Sequence, residues 1–334
     1  KNSRKVRMAA DATAIRGSRQ SSPTHARRIF AHYRSLRVCV RIQGESDTRP
    51  RSAGSHRVNN GIEPRNIRFH ISKSPVRHWC GGDPVMTAIV DVFSVFLPAG
   101  ERFFIRSLKR MRRDVKDPQL LEAIEDFSRQ EAYHSREHED YNKAIASLGY
   151  DVEAMEAEGA AALAVPKQRL VCLYATCAIE HLTTTFATVI LKHPEILADA
   201  PAHYRRLWTW HALEEVEHRA VALDVLKAAT PDTSAWRRYR DRVSIYIVTL
   251  YLIGRAWRRN LARYAETDGQ RVGLGFWGRC LKAYFVRPGI LRYALPSLLA
   301  YLKPGFDPAK THDPDFVDLW RVRVAADNAM TRPA

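Results

Sequence analysis

Cysteine is scarce in this chain and falls into no pattern that builds structure. Cys39, Cys80, Cys172, Cys177 and Cys280 are odd in number and include no CxxC pair. That excludes a disulfide framework and a zinc knuckle, and it fits a reducing cytoplasm. Cys172 and Cys177 lie in an apolar helical stretch and read as core residues. Long apolar runs are missing too. VSIYIVTLYLIG at 243–254, the longest, is about a dozen residues, against roughly 20 needed to cross a bilayer. A soluble protein is therefore expected. No secretory signal is visible, and no flavin or nicotinamide fingerprint occurs. From Asp83 onward no stretch alternates between polar and apolar residues as a strand would.

Acidic residues are nearly absent from the start of the chain. Residues 1–70 hold 16 of the 53 Lys and Arg but 4 of the 36 Asp and Glu, so the segment carries +12 of the net +17. Arg, Ser, Gly and Asn dominate the first 60 residues, with little apolar area to offset the entropy of ordering. Residues 1–62 are expected to be disordered. They begin with Lys1 rather than Met, which suggests a fragment or a mis-set translation start. A nucleic-acid tail is disfavoured because no aromatic residues interleave with the arginines. A mitochondrial-type presequence shares this composition, but no clear amphipathic helix accompanies it. No nucleic-acid partner is expected.

What the chain does have is helical periodicity. Pro84 opens a first long helix, with internal Pro98 and Gly100 expected to kink it. Asp117 as N-cap and Pro118 at the first position start a second, running to about Leu148. A third is expected over 154–192, with an interruption near Pro166, and a fourth over 199–229. A fifth spans 234–265. Residues 273–303 are apolar and basic, punctuated by helix-breaking Pro288, Gly289 and Pro296, and DPDFVDLW reads as a docked tail. The expected fold is all-α: a four-helix bundle over 63–232, with a C-terminal helical extension, 233–334, packed on it.

Chemistry-bearing residues sit at helical spacing. In RQEAYHSREH, Glu131, His134 and His138 fall within a sector of about 60° at 100° per residue, and so do His211, Glu215 and His218 in WHALEEVEHRA. Each of two helices thus presents a Glu-x-x-His pair with a further histidine on the same face. Glu101 and Glu180 stand in apolar surroundings on the other two helices. Glu101 precedes Glu131 by 30 residues and Glu180 precedes Glu215 by 35, each about one helical hairpin. A Glu on each of two helices and Glu-x-x-His on each of the other two is the ligand scheme of ferritin-like di-iron and di-manganese proteins. Hard, redox-active divalent metals favour carboxylate oxygens that can bridge two ions. Uncompensated carboxylates in a bundle core are costly.

One Glu-x-x-His is weak evidence and usually marks a solvated face; two, each preceded by an apolar-set Glu at hairpin distance, are much stronger. The competing account, a buried salt-bridge network, finds only Arg102 beside Glu101. Glu101, Glu131, His134, Glu180, Glu215 and His218 form the expected ligand set. His211 is a candidate seventh ligand; His138 is either a ligand or a hydrogen-bond partner of one. His181 is expected at a helix contact, Glu214 and Glu217 off the metal face, and Thr184 either lining an oxygen pocket or bonded back to its own helix.

The segments WCGGDPVMTAIVDVFSVFLPAGERFF, EAYHSREHEDYN, AIEHLTTTFA and HALEEVEHRAVALDV, in that order, resemble a bacterial family of predicted metal-dependent hydrolases with a ferritin-like core. The resemblance covers about residues 65–310. More distantly, His211–Glu215–His218 is similar to the HxxxExxH arrangement of di-iron arylamine N-oxygenases, which add a histidine ligand on the fourth helix. That likeness implies oxygen chemistry over hydrolysis.

The expectation is a carboxylate-bridged enzyme with two divalent metal ions, iron first, with manganese and zinc as alternatives. It would oxidise a small organic molecule with O2, drawing electrons from a separate donor protein. The alternatives are a di-metal hydrolase and a non-catalytic metal-binding bundle; ordinary storage bundles are shorter. Residues 234–310 would roof the site. A peripheral membrane contact or a homodimer interface is a less favoured role for the basic, apolar LKAYFVRPGILRYALPSLLAYLKPG.

Overall fold

Capping chemistry starts the long helices where the sequence placed it. In the computed structural model, which describes residues 61–164, 168–311 and 314–329, the Asp83 carboxylate accepts the Val85 and Met86 amides and opens α1 (Pro84–Met111). Asp117 accepts the Gln119 amide at the head of α2 (Pro118–Ser147), and Asp151 accepts that of Ala154 at α3 (Val152–Leu163). Each donor would otherwise be unsatisfied. Gly149, at φ +92°, turns the chain out of α2. Then come α4 (Arg169–Lys192), α5 (Ala202–Glu217), α6 (Val221–Ala228), α7 (Ala235–Thr267), α8 (Leu274–Phe285), α9 (Ile290–Ala300) and α10 (Pro314–Ala329). No strand occurs among the described residues. The expectations for the first 60 residues, and Cys39 and Pro166, lie outside them.

The chain is all-α. α1 and α2 pack as one hairpin and α4 with α5 and α6 as the second, joined through α1 against α4. The arrangement is consistent with a ferritin-like bundle. α3 and α7 cover α1, α7 and α9 cover α4, and α10 lies on α5. Ile124, Phe127, Leu173, Leu207, Trp208 and Val216 are fully buried between the hairpins and fix their spacing.

The expected third helix is interrupted where the sequence placed the break, giving α3 and α4. The boundaries differ from expectation in two places. The expected fourth breaks at His218–Ala220 although no Gly or Pro stands there. His218 leaves the α region (φ −97°, ψ 10°) while its amide still bonds Glu214 O, and Arg219 reaches back to Val216 O. Pro296, expected to break a helix, lies inside α9. It is exposed, as is Arg292 one turn earlier, whose freed carbonyl meets solvent there. α1 runs unbroken through Pro98.

Among the described residues α4, not the 243–254 run, is the helix long and apolar enough to cross a membrane, but 83% of its apolar window is buried by its neighbours. Cys80, Cys172, Cys177 and Cys280 are buried.

An extended strap precedes α1 and crosses the bundle. The Arg65 guanidinium places two nitrogens on the Glu217 carboxylate, at 2.9 and 2.8 Å, and its amide donates to Glu214 Oε1 at 3.0 Å. The Phe69 amide donates to Glu137, and Ser72 to Asp140. A second polar knot lies deeper: Asp91 accepts from Trp79 Nε1 and from the hydroxyls of Tyr141 and Tyr264, at 2.8, 2.7 and 2.6 Å. It ties the strap end, α1, α2 and α7 together.

Candidate metal centre

Glu101 on α1, Glu131, His134 and His138 on α2, Glu180 on α4 and His211, Glu215 and His218 on and just after α5 all converge in the bundle interior, each no more than 2% exposed. Helical spacing accounts for the convergence of the α2 and α5 sets, because residues three, four and seven apart share a face. Potential ligand atoms of Glu131, His134, Glu215 and His218 lie within 4.8 Å of one another, and so do those of Glu101, His138 and His211.

The cluster is unbalanced. Neither oxygen of Glu101, Glu131 or Glu215 has a hydrogen-bond partner, nor do Glu180 Oε1, His134 Nδ1, His211 Nε2 and His218 Nε2. Buried polar atoms are rarely left so. Arg102, beside Glu101 in sequence, turns outward to Glu139, and Arg219, beside His218, bonds the backbone oxygens of Val216 and Pro308. Arg65 pairs with Glu63, Glu214 and Glu217, none of them in the set. Among the described residues no Lys or Arg pairs with Glu101, Glu131, Glu180 or Glu215, whose ion-pair contacts are with the imidazoles of the cluster itself. Convergent orphaned oxygens and imidazole nitrogens are the donor set that hard divalent cations take, and the residues fit a metal pair.

The electrostatics follow from crowding in a dry interior. Burial pushes the Glu131 carboxyl well above the usual range, reinforced by Glu180, Glu215 and Glu101. Burial raises Glu101 to about 8 and Glu180 to about 7. For Glu215 burial acts upward too, but His218, His134 and His211 outweigh it and hold it at about 2. Burial pulls His134 down, yet the Glu214 and Glu215 carboxylates win and hold it at about 10. A cluster that retains protons this way gives them up to a cation.

Several side chains aim the imidazoles. Glu214 Oε2 accepts His134 Nε2–H at 3.1 Å and leaves Nδ1 turned to Glu215, 3.6 Å away. Glu214 is fixed in turn by Trp210 Nε1–H and the Arg65 amide. Glu180 Oε2 lies 3.0 Å from His218 Nδ1, so His218 Nε2 faces Glu131 Oε1 at 3.1 Å. On the third imidazole the aim is relayed. Ser94 gives its hydroxyl proton to Asn142 and so receives Nδ1–H of His138 at 2.9 Å. His138 Nε2 is then the acceptor for His211 Nδ1–H at 3.2 Å, which leaves the lone pair of His211 Nε2 facing Glu215 at 3.5 Å. Burial and the neighbouring imidazoles lower both pKa values and keep this pair neutral. In this geometry both ring nitrogens of His138 are engaged, and it orients His211.

Glu214 and Ser94 were missed in the sequence. Glu214 was placed off the metal face, and it is; it reaches His134 from behind. Its signal was the Glu-Glu pair itself, since a ligating imidazole wants a carboxylate on its other nitrogen. Ser94 left no signal. Thr184 does neither of the things expected: its hydroxyl donates at 3.1 Å to the backbone oxygen of Glu215, across the α4–α5 contact. His181 holds a helix contact, with Nε2–H donating to Ser297 O at 2.9 Å.

A helical bundle with a buried cluster of carboxylates and imidazoles that could hold a metal pair defines a metal-binding, metal-dependent protein class. The sequence model of the family described as predicted metal-dependent hydrolase matches residues 63–312, and the chain belongs to that family. No curated protein and no solved structure matches it.

Proposed function

We propose that this chain is a two-metal enzyme that uses O2 to oxidise a small apolar molecule. The observation that carries the reading is the residue set: carboxylate oxygens and imidazole nitrogens without hydrogen-bond partners, wholly buried, beside an apolar cavity. Two ions bound there, iron first among the candidates, would supply redox equivalents and a coordination site for dioxygen. The chain's own residues do the rest. Glu215 Oε1 lies 3.6 Å from His134, 3.8 Å from His218 and 3.5 Å from His211, so it faces both groups of the cluster and is the carboxylate best placed to be shared by two ions. Glu214, Glu180 and His138 hold three imidazoles in one tautomer, so that each presents a lone pair without reorganisation. Phe127 and Trp210 pack edge-on against His218 and His134, at 4.7 and 4.9 Å between centroids, and exclude water. Electrons would come from a separate donor protein.

The second reading is hydrolysis, in which the ions polarise a substrate and its attacking water. The description of the family favours it. Against it stands the cavity wall, which is almost wholly apolar and offers little to orient a scissile ester or amide.

The test is anaerobic loading of the full chain with ferrous iron, metal counting, and mixing with O2 while oxygen uptake and absorbance are followed. Two irons per chain with oxygen consumed supports oxidation. Two ions bound but inert to O2 transfers the assignment to the hydrolase. No stoichiometric metal, in a chain that Glu131→Ala and Glu215→Ala leave equally stable, overturns the metal centre.

A further inference from the structure

The metal cluster leaves two features unexplained, one inside the molecule and one on its surface. Inside is a cavity of about 350 Å³ bounded by α1, α3, α4, α5, α7, α8 and α9, within the range of small-molecule sites. It begins where the cluster ends. Gly100 and Phe104 flank Glu101 along α1, and Ile179 and Thr183 flank Glu180 along α4. Trp208 closes a third side, its ring 5.1 Å from that of His138 and 5.8 Å from that of His211. Of the few polar groups in the wall, the Thr183 hydroxyl donates to Glu180 O and the Tyr284 hydroxyl accepts Trp257 Nε1–H, which leaves Trp208 Nε1–H without a partner. Its natural occupant is hydrocarbon. At roughly 30 Å³ per heavy atom, the space suits a chain of about a dozen carbons.

The surface feature lies on the same helices. From Arg242 to Phe306 the chain has 11 Lys and Arg against two acids, Glu266 and Asp268, and none of the acids falls after residue 268. Asp268 is itself held by Arg77, His78 and Tyr150. Tyr251 on α7, Leu281 and Phe285 on α8, and Leu295 and Leu299 on α9 are exposed, interleaved with exposed Arg255, Lys282, Arg287 and Arg292. Gly254 joins the two features. It is exposed yet lines the cavity, and a Cβ there would meet no atom within 4 Å, so the cavity opens beside it.

We propose that the face made by α7, α8 and α9 docks on an anionic lipid bilayer, and that the cavity behind it takes up the hydrocarbon chain of a bilayer amphiphile as the substrate of the metal centre. The word substrate rests on the enzymatic reading above; the docking and the uptake do not. Apolar side chains flanked by cations on helices at the surface are the signature of an interfacial contact. A second copy of this chain fits less well, because an isologous contact would set the same cations against each other. Anionic headgroups instead neutralise them, each basic residue contributing about five-fold in affinity.

The test uses the full chain stripped of metal, so a failed metal centre leaves it standing and a failed cavity leaves the iron titration standing. With phosphatidylglycerol vesicles carrying brominated acyl chains, tryptophan fluorescence should be quenched, because bromine quenches groups that reach the hydrocarbon. Leu295→Glu/Leu299→Glu, at exposed positions, should reduce the quenching at least ten-fold even where the +12 of residues 1–70 still adsorbs the chain. Arg287→Ser/Arg292→Ser should weaken binding about 25-fold. Calorimetry should detect dodecanoate binding to the wild-type chain and at least ten-fold weaker binding to Gly254→Leu. Equal quenching of wild type and the leucine double variant overturns the proposal, as does equal dodecanoate affinity of wild type and Gly254→Leu. A dimer abolished by the leucine substitutions, with no quenching by lipid, also overturns it and gives the face to a second copy.

Discussion

At the scale of single residues, the question is why His134 carries so many partners. Its Nε2–H is fixed by Glu214, and Glu214 is pinned by Trp210 and Arg65. The carboxylate therefore acts on a metal only through the imidazole it holds. Glu214→Gln should weaken metal affinity 10- to 100-fold while leaving helicity intact; metal titration followed by circular dichroism of the apo chain checks both. Unchanged affinity would show that Glu214 serves the strap alone. The ligand types were legible in the sequence because acids are costly in apolar helices and the 3.6-residue period sorts them onto one face. The partners behind them were not. Glu214 stands 100° off that face, and Ser94 is an ordinary helix residue until His138 turns to it.

At the scale of elements, starts were legible and not every interruption was. Asp83–Pro84 and Asp117–Pro118 carry their own capping chemistry. The break at His218 has no punctuating residue, and the strap has no periodicity at all. Yet the strap's Arg65 is only 16% exposed at its side chain and neutralises Glu217, which Arg321 also meets at 2.8 Å. For Glu217 burial acts upward, but Arg65 and Arg321 prevail and hold its carboxyl below the usual range. That contribution is present at neutral pH and is lost as the solution is acidified. Arg65→Ala should cost about 2–4 kcal/mol in urea unfolding near pH 7, with the difference from wild type shrinking in acid. Loss below about 0.5 kcal/mol would mean that Arg321 alone suffices.

For the whole molecule, the buried acids set how it answers to pH. Burial raises Asp91 to about 6 despite its three donors. Between its unfolded value near 4 and pH 6, the folded chain holds a proton that the unfolded chain has lost. The contribution of Asp91 to stability therefore falls as pH rises through that window and is level above it. Relative to Asp91→Asn, wild type should lose up to about 3 kcal/mol between pH 4 and 6.5, read by urea unfolding at each pH; a flat difference would contradict the raised value. The metal centre answers in the opposite sense. Glu180 at about 7, Glu101 at about 8 and His134 at about 10 must shed protons to bind a cation. Affinity should climb from pH 6 to 8 with proton release, measurable by calorimetry in buffers of different ionisation enthalpy. The all-α class and the convergence of the Glu and His residues inside the bundle were readable at this scale. The cavity was not, since Ile89, Phe186 and Leu250 read as plain core until the helices leave a gap among them.

The joint at His218 carries one more consequence. α6 has eight residues, too few to persist alone in water, and it is fastened to α5 through a histidine that also faces the metal site. Occupancy of the centre should thus be legible from outside, as a clock: amide protons of residues 218–228 exchange with deuterium quickly in the stripped chain and slowly in the loaded one, while those of α1 keep the same time in both.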